Sequence, residues 1–211
     1  IKLALFVNSS RAFLGMKFTR KTKYYSGVVY EWNLPSGFTC PFALECLVKV
    51  DRVTGKFDNK SKAYKCYSAS AERFPTCRES RWRNFDFVRK GGIPSIPSKA
   101  KAIRIHSSGD FYSQSYFDMW LELCRSNPSI EFWAYTKSVK YWVLRLDSIP
   151  KNLVLTASRG GKNDELIDIH NLKNVEVIKR KEDADGKPID TGDNEARKPR
   201  VNFCLIDNFI K

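Results

Sequence analysis

The chain has 211 residues, 42% of them hydrophobic, enough for one well-cored domain and too apolar for default disorder. Its formal net charge is +14, with six cysteines and two histidines. No apolar run approaches the roughly 20 residues of a membrane-spanning helix, so no membrane partner is expected.

Residues 1–30 carry Lys2, Arg11, Lys17, Arg20, Lys21 and Lys23 and no acid. The segment 28–34 reads as a strand that leads into Cys40. Turn signals follow at Pro35-Ser36-Gly37 and Thr54-Gly55-Lys56. A helix is predicted from about Ser68 to Val88, broken near Pro75, and residues 73–90 add Arg73, Arg78, Arg81, Arg83, Arg89 and Lys90 against Glu79 and Asp86. Gly91-Gly92, Pro94 and Pro97 then mark a linker, so residues 1–98 read as a basic, cysteine-rich, loop-rich lobe.

From residue 99 to 211 the pattern is regular. Ala102–His106 is a short β run, and Ser113 can cap a helix carrying Tyr116, Phe117, Trp120, Leu121 and Cys124 at helical spacing, stopped by Asn127-Pro128. Further strands are predicted at 130–135, 153–157 and 175–178, with a helix at about 139–146. Strands alternating with helices imply an α/β fold of parallel βα units with right-handed crossovers, resembling a partial (β/α) barrel and forming one compact domain with the lobe.

Four cysteines, Cys40, Cys46, Cys66 and Cys77, fall within 38 residues, separated by five, nineteen and ten others. Thiolate quartets serve zinc, iron–sulfur clusters or disulfides, or stay as buried thiols. The spacing contains no paired C-x2-C knuckle, which disfavours a zinc ribbon. A chain of this size needs no disulfide staples. A [4Fe–4S] cluster on Cys40, Cys46, Cys66 and Cys77 is therefore expected, with zinc as the alternative. Pro41 stiffens the ligand loop, and Lys49, Lys65 and Arg78 are candidates to offset thiolate charge. Cys124 reads as core; Cys204 is ambiguous.

In parallel α/β folds ligands bind at the carboxyl ends of strands. That rule selects His106, Ser107 and Asp110 after the first regular strand, Thr136, Lys137 and Ser138 after the second, and Ser158 and Arg159 after the third. Capping is the ordinary role for Asp110 and a hydrogen-bonded structural one for His106. Gly160-Gly161 lacks any phosphate-loop spacing and reads as a turn. Arg11, Lys17, Arg20, Lys21, Lys23, Arg78, Arg81 and Arg83, interleaved with Tyr24, Tyr25, Phe74, Trp82 and Phe85, are the candidate nucleic-acid face. No nucleophile elbow, kinase signature or carboxylate pair supports hydrolysis or phosphoryl transfer.

Several segments together carry a resemblance. Leu34-Pro35-Ser36-Gly37-Phe38-Thr39-Cys40-Pro41-Phe42-Ala43 is followed by Cys46, then Lys65-Cys66-Tyr67-Ser68. Arg104-Ile105-His106-Ser107-Ser108-Gly109-Asp110-Phe111-Tyr112 and Tyr135-Thr136-Lys137-Ser138 come later. Over residues 28–160 the set resembles the phage gene-product-88 family. The resemblance implies a bacteriophage origin, action in the host cytoplasm and a cysteine-rich site. More remotely, a cysteine loop after an early strand followed by βα units is similar to radical-SAM proteins. The C-x3-C-x2-C motif is absent and four thiolates would close the cluster, which argues against S-adenosylmethionine. Three function classes follow: a cluster enzyme using the strand-end face, a nucleic-acid-binding accessory protein with a structural cluster or zinc, and a protein docking on acidic host machinery.

Overall fold

The computed structural model describes residues 18–21, 28–58 and 66–207. In chain order these form strands β1 (Thr19–Lys21), β2 (Val29–Trp32), β3 (Lys49–Val50) and β4 (Phe57–Asp58), then helices α1 (Tyr67–Ser70) and α2 (Pro75–Arg89). The regular half follows as β5 (Ala102–Ile105), α3 (Gln114–Ser126), β6 (Glu131–Thr136), α4 (Val139–Val143), β7 (Leu153–Ser158), α5 (Glu165–Ile169), β8 (Asn174–Ile178) and β9 (Phe203–Ile206).

The strands predicted at 28–34, 102–106, 130–135, 153–157 and 175–178 are β2, β5, β6, β7 and β8. The helix predicted from Ser68 is interrupted as expected: a 3-10 turn at Ala71–Arg73 separates α1 from α2, and Pro75 opens α2, where its missing N–H costs nothing. The sequence reading missed β1, the β3–β4 hairpin, α5 and β9, all short.

Seven described strands form one sheet in the order β1-β2-β5-β6-β7-β8-β9. Only β1 is antiparallel; each later strand lies parallel beside its predecessor. With right-handed crossovers, winding in one direction sends the crossovers carrying α3, α4 and α5 over the same face. Among the described residues β1 and β9 stand at the two ends and do not pair with each other, so the sheet does not close into a barrel. β2, from the cysteine-rich segment, sits between β1 and β5 and so is part of this sheet.

Both faces are buried, as a parallel sheet requires. On the crossover face Trp32, Ile103, Ile105, Phe132, Ala134 and Leu155 pack against Phe117, Trp120, Leu121 and Cys124 of α3, Val139 and Trp142 of α4, and Ile167 of α5. The opposite face is smaller, with Val29, Ala102, Trp133, Val175 and Phe203 around Ala196. Ala196 belongs to the long return between β8 and β9. In the same return, Asp190 accepts the N–H groups of Gly192, Asn194, Glu195 and Ala196, and Asp193 reaches Arg104 Nη1 (2.7 Å), Trp133 Nε1 (3.2 Å) and Tyr135 OH (2.9 Å).

Ser113 caps α3 as predicted, its Oγ accepting the Tyr116 N–H at 3.2 Å. Trp120 is fully buried beneath Trp32. Trp120→Ala should cost about 3–5 kcal/mol in urea unfolding. Ser113→Ala should cost only about 1 kcal/mol. Similar losses for the two would contradict this account of the core.

Candidate functional site

The carboxyl ends of β2, β5, β6 and β7 meet along one edge, and the loops leaving them are tied together. After β2, Asn33 Oδ1 accepts the N–H groups of Ser107 (2.7 Å) and Ser108 (3.0 Å), while Leu34 N–H donates to Ser108 O (2.9 Å). Gly109, at φ 82°, allows this approach: a Cβ there would stand 2.5 Å from Thr39 Oγ1 and 2.7 Å from Leu34 Cβ.

Asp110 joins the second and third loops. It accepts hydrogen bonds from Thr136 Oγ1 (2.6 Å) and from the backbone N–H groups of Lys137 (2.8 Å) and Phe111 (2.7 Å). Burial pushes its carboxyl up to about 6, against the pull of these hydrogen bonds. His106 is buried at φ 67°, its Nε2 lying 2.9 Å from Tyr116 OH; burial drives its imidazole down to about 3. Lys137 Nζ donates to Ser158 O (3.0 Å), to Ser158 Oγ (3.1 Å) and to Arg159 O. Ser138 Oγ donates to Phe111 O at 2.7 Å.

The strand-end rule thus brings Asp110, Lys137 and Ser158 together. Thr136, Ser138 and His106 are buried braces behind them, and Ser107 accepts from Tyr67 OH through its carbonyl (3.0 Å). Arg159 turns away, pairing with Asp168 on α5 at 2.5 Å and donating to Asn174 Oδ1.

Against this edge lies the loop bearing Cys40 and Cys46. Ala43 bridges Gly161, Lys162 N–H donates to Phe42 O (2.8 Å), and Lys162 Nζ donates to Pro41 O (2.8 Å). Cys66 is the residue immediately before α1, with its Sγ 3.2 Å from Ser68 Oγ. All six cysteines are free, Cys124 is core as expected, and Cys204 is buried against Ile178 and Ala184.

Cys40, Cys46 and Cys66 feel one another. Burial raises the Cys40 thiol well above the ordinary range, and Asp110, Cys66 and Cys46 raise it further. Burial likewise raises Cys46, opposed by Lys137 and assisted by Cys66 and Asp110. Cys77 stands on α2, in phase with the buried Arg81 and Asn84, and the thiol interactions above join the other three. The cation beside the thiols is Lys137 rather than those expected: Lys49 lies over the Phe38 ring, Arg78 donates to Arg52, Val53 and Glu72 carbonyls, and Lys65 falls outside the described residues.

Sequence reading did not single out Glu72, which organises the cysteine loop from behind. Fully buried, it accepts from Ser36 N–H (2.8 Å) and from Arg81 Nη1 (2.8 Å), which also donates to Ser68 O (2.8 Å). The ion pair therefore holds the loop before Cys40 against the helix after Cys66. An acid amid so many arginines was the available signal. Tyr67, half exposed beside Cys66, was legible only as part of the cysteine motif.

The expected nucleic-acid face is corrected by this burial. Arg78 and Arg81 are spent on carbonyls and on Glu72, because buried guanidinium groups require internal acceptors. Lys21 pairs with Glu31 at 3.2 Å, whereas Arg20 and Arg83 are exposed. Arg11, Lys17 and Lys23, with Tyr24 and Tyr25, lie outside the described residues.

The donor chemistry at the edge, three soft thiols with one lysine and one carboxyl, suits a thiophilic metal centre. As placed, no three cysteine, histidine or carboxylate side chains among the described residues converge to hold a metal ion. No helix of the described residues is long and apolar enough to cross a membrane.

Fold and edge together define a singly wound parallel α/β protein with a thiol-bearing strand-end site. The family model described as "Gene product 88" matches residues 15–206, and the chain belongs to that family. It is similar to the Gene 88 protein of Mycobacterium phage L5, with 31% identity over 122 residues, 53% of this chain and 48% of that protein. It is also similar to the Gene 88 protein of Mycobacterium phage D29, at 30% identity over the same shares. The chain thus spans about half the length of the curated relatives it matches. No solved structure matches, and the remote likeness to radical-SAM proteins has no such support.

Two predictions follow from the buried groups. Arg81→Met leaves the Glu72 charge unpaired and should cost about 3–5 kcal/mol in denaturant unfolding, with the Glu72→Met/Arg81→Met double variant recovering part of the loss. A double variant no more stable than the single one would contradict the pairing.

His106 and Asp110 titrate in opposite senses. Between about 3 and 6.5 the unfolded chain holds a histidine proton that the native chain lacks, so stability rises with pH. Between 3.8 and about 6 native Asp110 holds the extra proton, so stability falls with pH. From about pH 4 to 6 the two contributions cancel. His106→Asn, an exchange suited to positive φ, should leave the Asp110 slope exposed. Its stability relative to the parent chain should then fall by up to about 1.4 kcal/mol per pH unit across that window. Parallel urea-unfolding curves for both proteins across the window would refute the lowered imidazole, and a variant whose own stability does not fall with pH there would refute the raised carboxyl.

Proposed function

We infer that this chain is a phage iron–sulfur protein acting in the cytoplasm of the infected host, with Cys40, Cys46 and Cys66 as the cluster ligands. The observation carrying this reading is the electrostatic coupling of thiols from two separate segments at the carboxyl edge of the sheet, where Cys66 and Cys46 raise the Cys40 thiol and Cys66 raises that of Cys46. A centre that keeps the thiolates ionised relieves that repulsion. Six free cysteines accord with a reducing compartment.

When bound, a cluster supplies one-electron or Lewis-acid chemistry. The chain's own residues shape what approaches it. Lys137 brings a positive charge to Cys46, and Asp110 brings a carboxyl that exchanges its proton near pH 6. Glu72 and Arg81 fix the loop from behind. Cys77 stands outside the ligand set in this reading.

Anaerobically purified protein should be brown, bind about four irons per chain, and give an electron paramagnetic resonance signal on dithionite reduction. Cys40→Ser, Cys46→Ser and Cys66→Ser should each lose most of the iron, whereas Cys77→Ser should retain it. Colourless protein with stoichiometric zinc would replace the cluster by zinc, and equal iron loss in Cys77→Ser would restore a four-thiolate set.

A further inference from the structure

A second surface begins on the cysteine loop itself, at Phe38, and involves none of the thiols. On the β3–β4 hairpin, a cleft of about 360 Å³ is lined by Phe38, Lys49, Asp51, Lys56, Phe57 and Asp58. Both phenyl rings are uncommonly open for their type, Phe38 at 42% and Phe57 at 41% exposure. Lys49 and Lys56 are exposed beside them.

From Phe38 the aromatic surface continues onto α2. The Phe38 and Trp82 rings are 4.9 Å apart, and Trp82 and Phe85 are 5.9 Å apart. A cation lies over each ring: Lys49 on Phe38 at 5.3 Å, Arg52 on Trp82 at 4.8 Å and Arg89 on Phe85 at 5.7 Å. These side chains are exposed, unlike Arg78 and Arg81. Asp51 and Asp58 in the cleft and Asp86 on α2 are the opposing charges, Asp86 lying 2.7 Å from Arg52 in a pair open to solvent. Solvent-exposed pairs of this kind contribute little, so a phosphate can compete for Arg52.

We propose that this surface docks single-stranded nucleic acid, with one base stacked between Phe38 and Phe57 and backbone phosphates on Lys49, Arg52, Lys56 and Arg89. Positive charge recruits any polyanion, and the formal +14 of the chain ensures that it does. The two-ring cleft selects among polyanions. A duplex keeps its bases stacked inside, an acidic polypeptide has no flat rings to insert, and a single strand offers both phosphates and free π faces. Asp58 gives the cleft an acceptor for a base N–H such as that of thymine N3, whereas Asp51 accepts from its own turn at Val53 and Thr54.

Fluorescence anisotropy of the full chain with a labelled oligo(dT) of about 15 nucleotides, measured across a salt series, tests this. Four phosphate contacts predict a log–log salt slope of about −3, and Lys49→Gln or Lys56→Gln should each reduce it by about 0.7. Phe57→Ala, which removes an exposed ring, should weaken binding at least about fivefold without changing the slope. Asp86→Asn should tighten binding by freeing Arg52. Lys140→Gln and Lys151→Gln, exposed cations elsewhere on the chain, should have no effect, and circular dichroism establishes that each variant is folded. The proposal fails if duplex of equal length or polyglutamate competes as well as the oligonucleotide. It also fails if Phe57→Ala binds like the parent, or if the distant lysine variants lose as much as Lys49→Gln.

Discussion

Every parallel strand of the sheet is laid beside the one before it, and this unidirectional winding governs the remainder of the molecule. It sends the crossovers carrying α3, α4 and α5 over one face, where the tryptophan- and phenylalanine-rich core lies. It also lines up the ends of β2, β5, β6 and β7 along one edge, so residues far apart in sequence, such as Cys46, Asp110, Lys137 and Ser158, become neighbours. A doubly wound sheet would have reversed strand order at its middle and put crossovers on both faces.

The edge is made rigid by buried polar groups. Asp110 bolts the β5 and β6 loops together, and Asn33 does the same for β2 and β5. Glu72 and Arg81 immobilise the cysteine loop from behind. Buried ion pairs are weak sources of net stability, because desolvation offsets the Coulomb attraction, yet they fix geometry firmly since no alternative partner is available. The loop that carries Cys40 and Cys46 has that kind of support behind it.

Much of this architecture was legible in the sequence. Ser113 and Asn127-Pro128 bounded α3, apolar runs located five strands, and the strand-end rule found Asp110 and Lys137. The short elements were not legible: β1 and the β3–β4 hairpin have two or three residues each, too few for a periodic signal. Basic residues misled for a definite reason. A run of arginines on α2 looks the same whether its guanidinium groups face solvent or carbonyls, and only the fold separates Arg83 from Arg78 and Arg81. The cysteine motif was visible as a unit, whereas the 3-10 turn at Ala71–Arg73 between Cys66 and Cys77 was legible only as a break near Pro75.

The return segment from Asp190 to Arg197 carries a further implication. Its Asp193 occupies a ready-made carboxylate receptor built from Arg104, Trp133 and Tyr135, Ala196 fills the hollow beside them, and Arg197 clamps Glu131. This face of the sheet is therefore plugged by its own chain. The carboxyl edge with Asp110 and Lys137 is built from other loops, so changes in this plug and changes at that edge fall on separate parts of the chain.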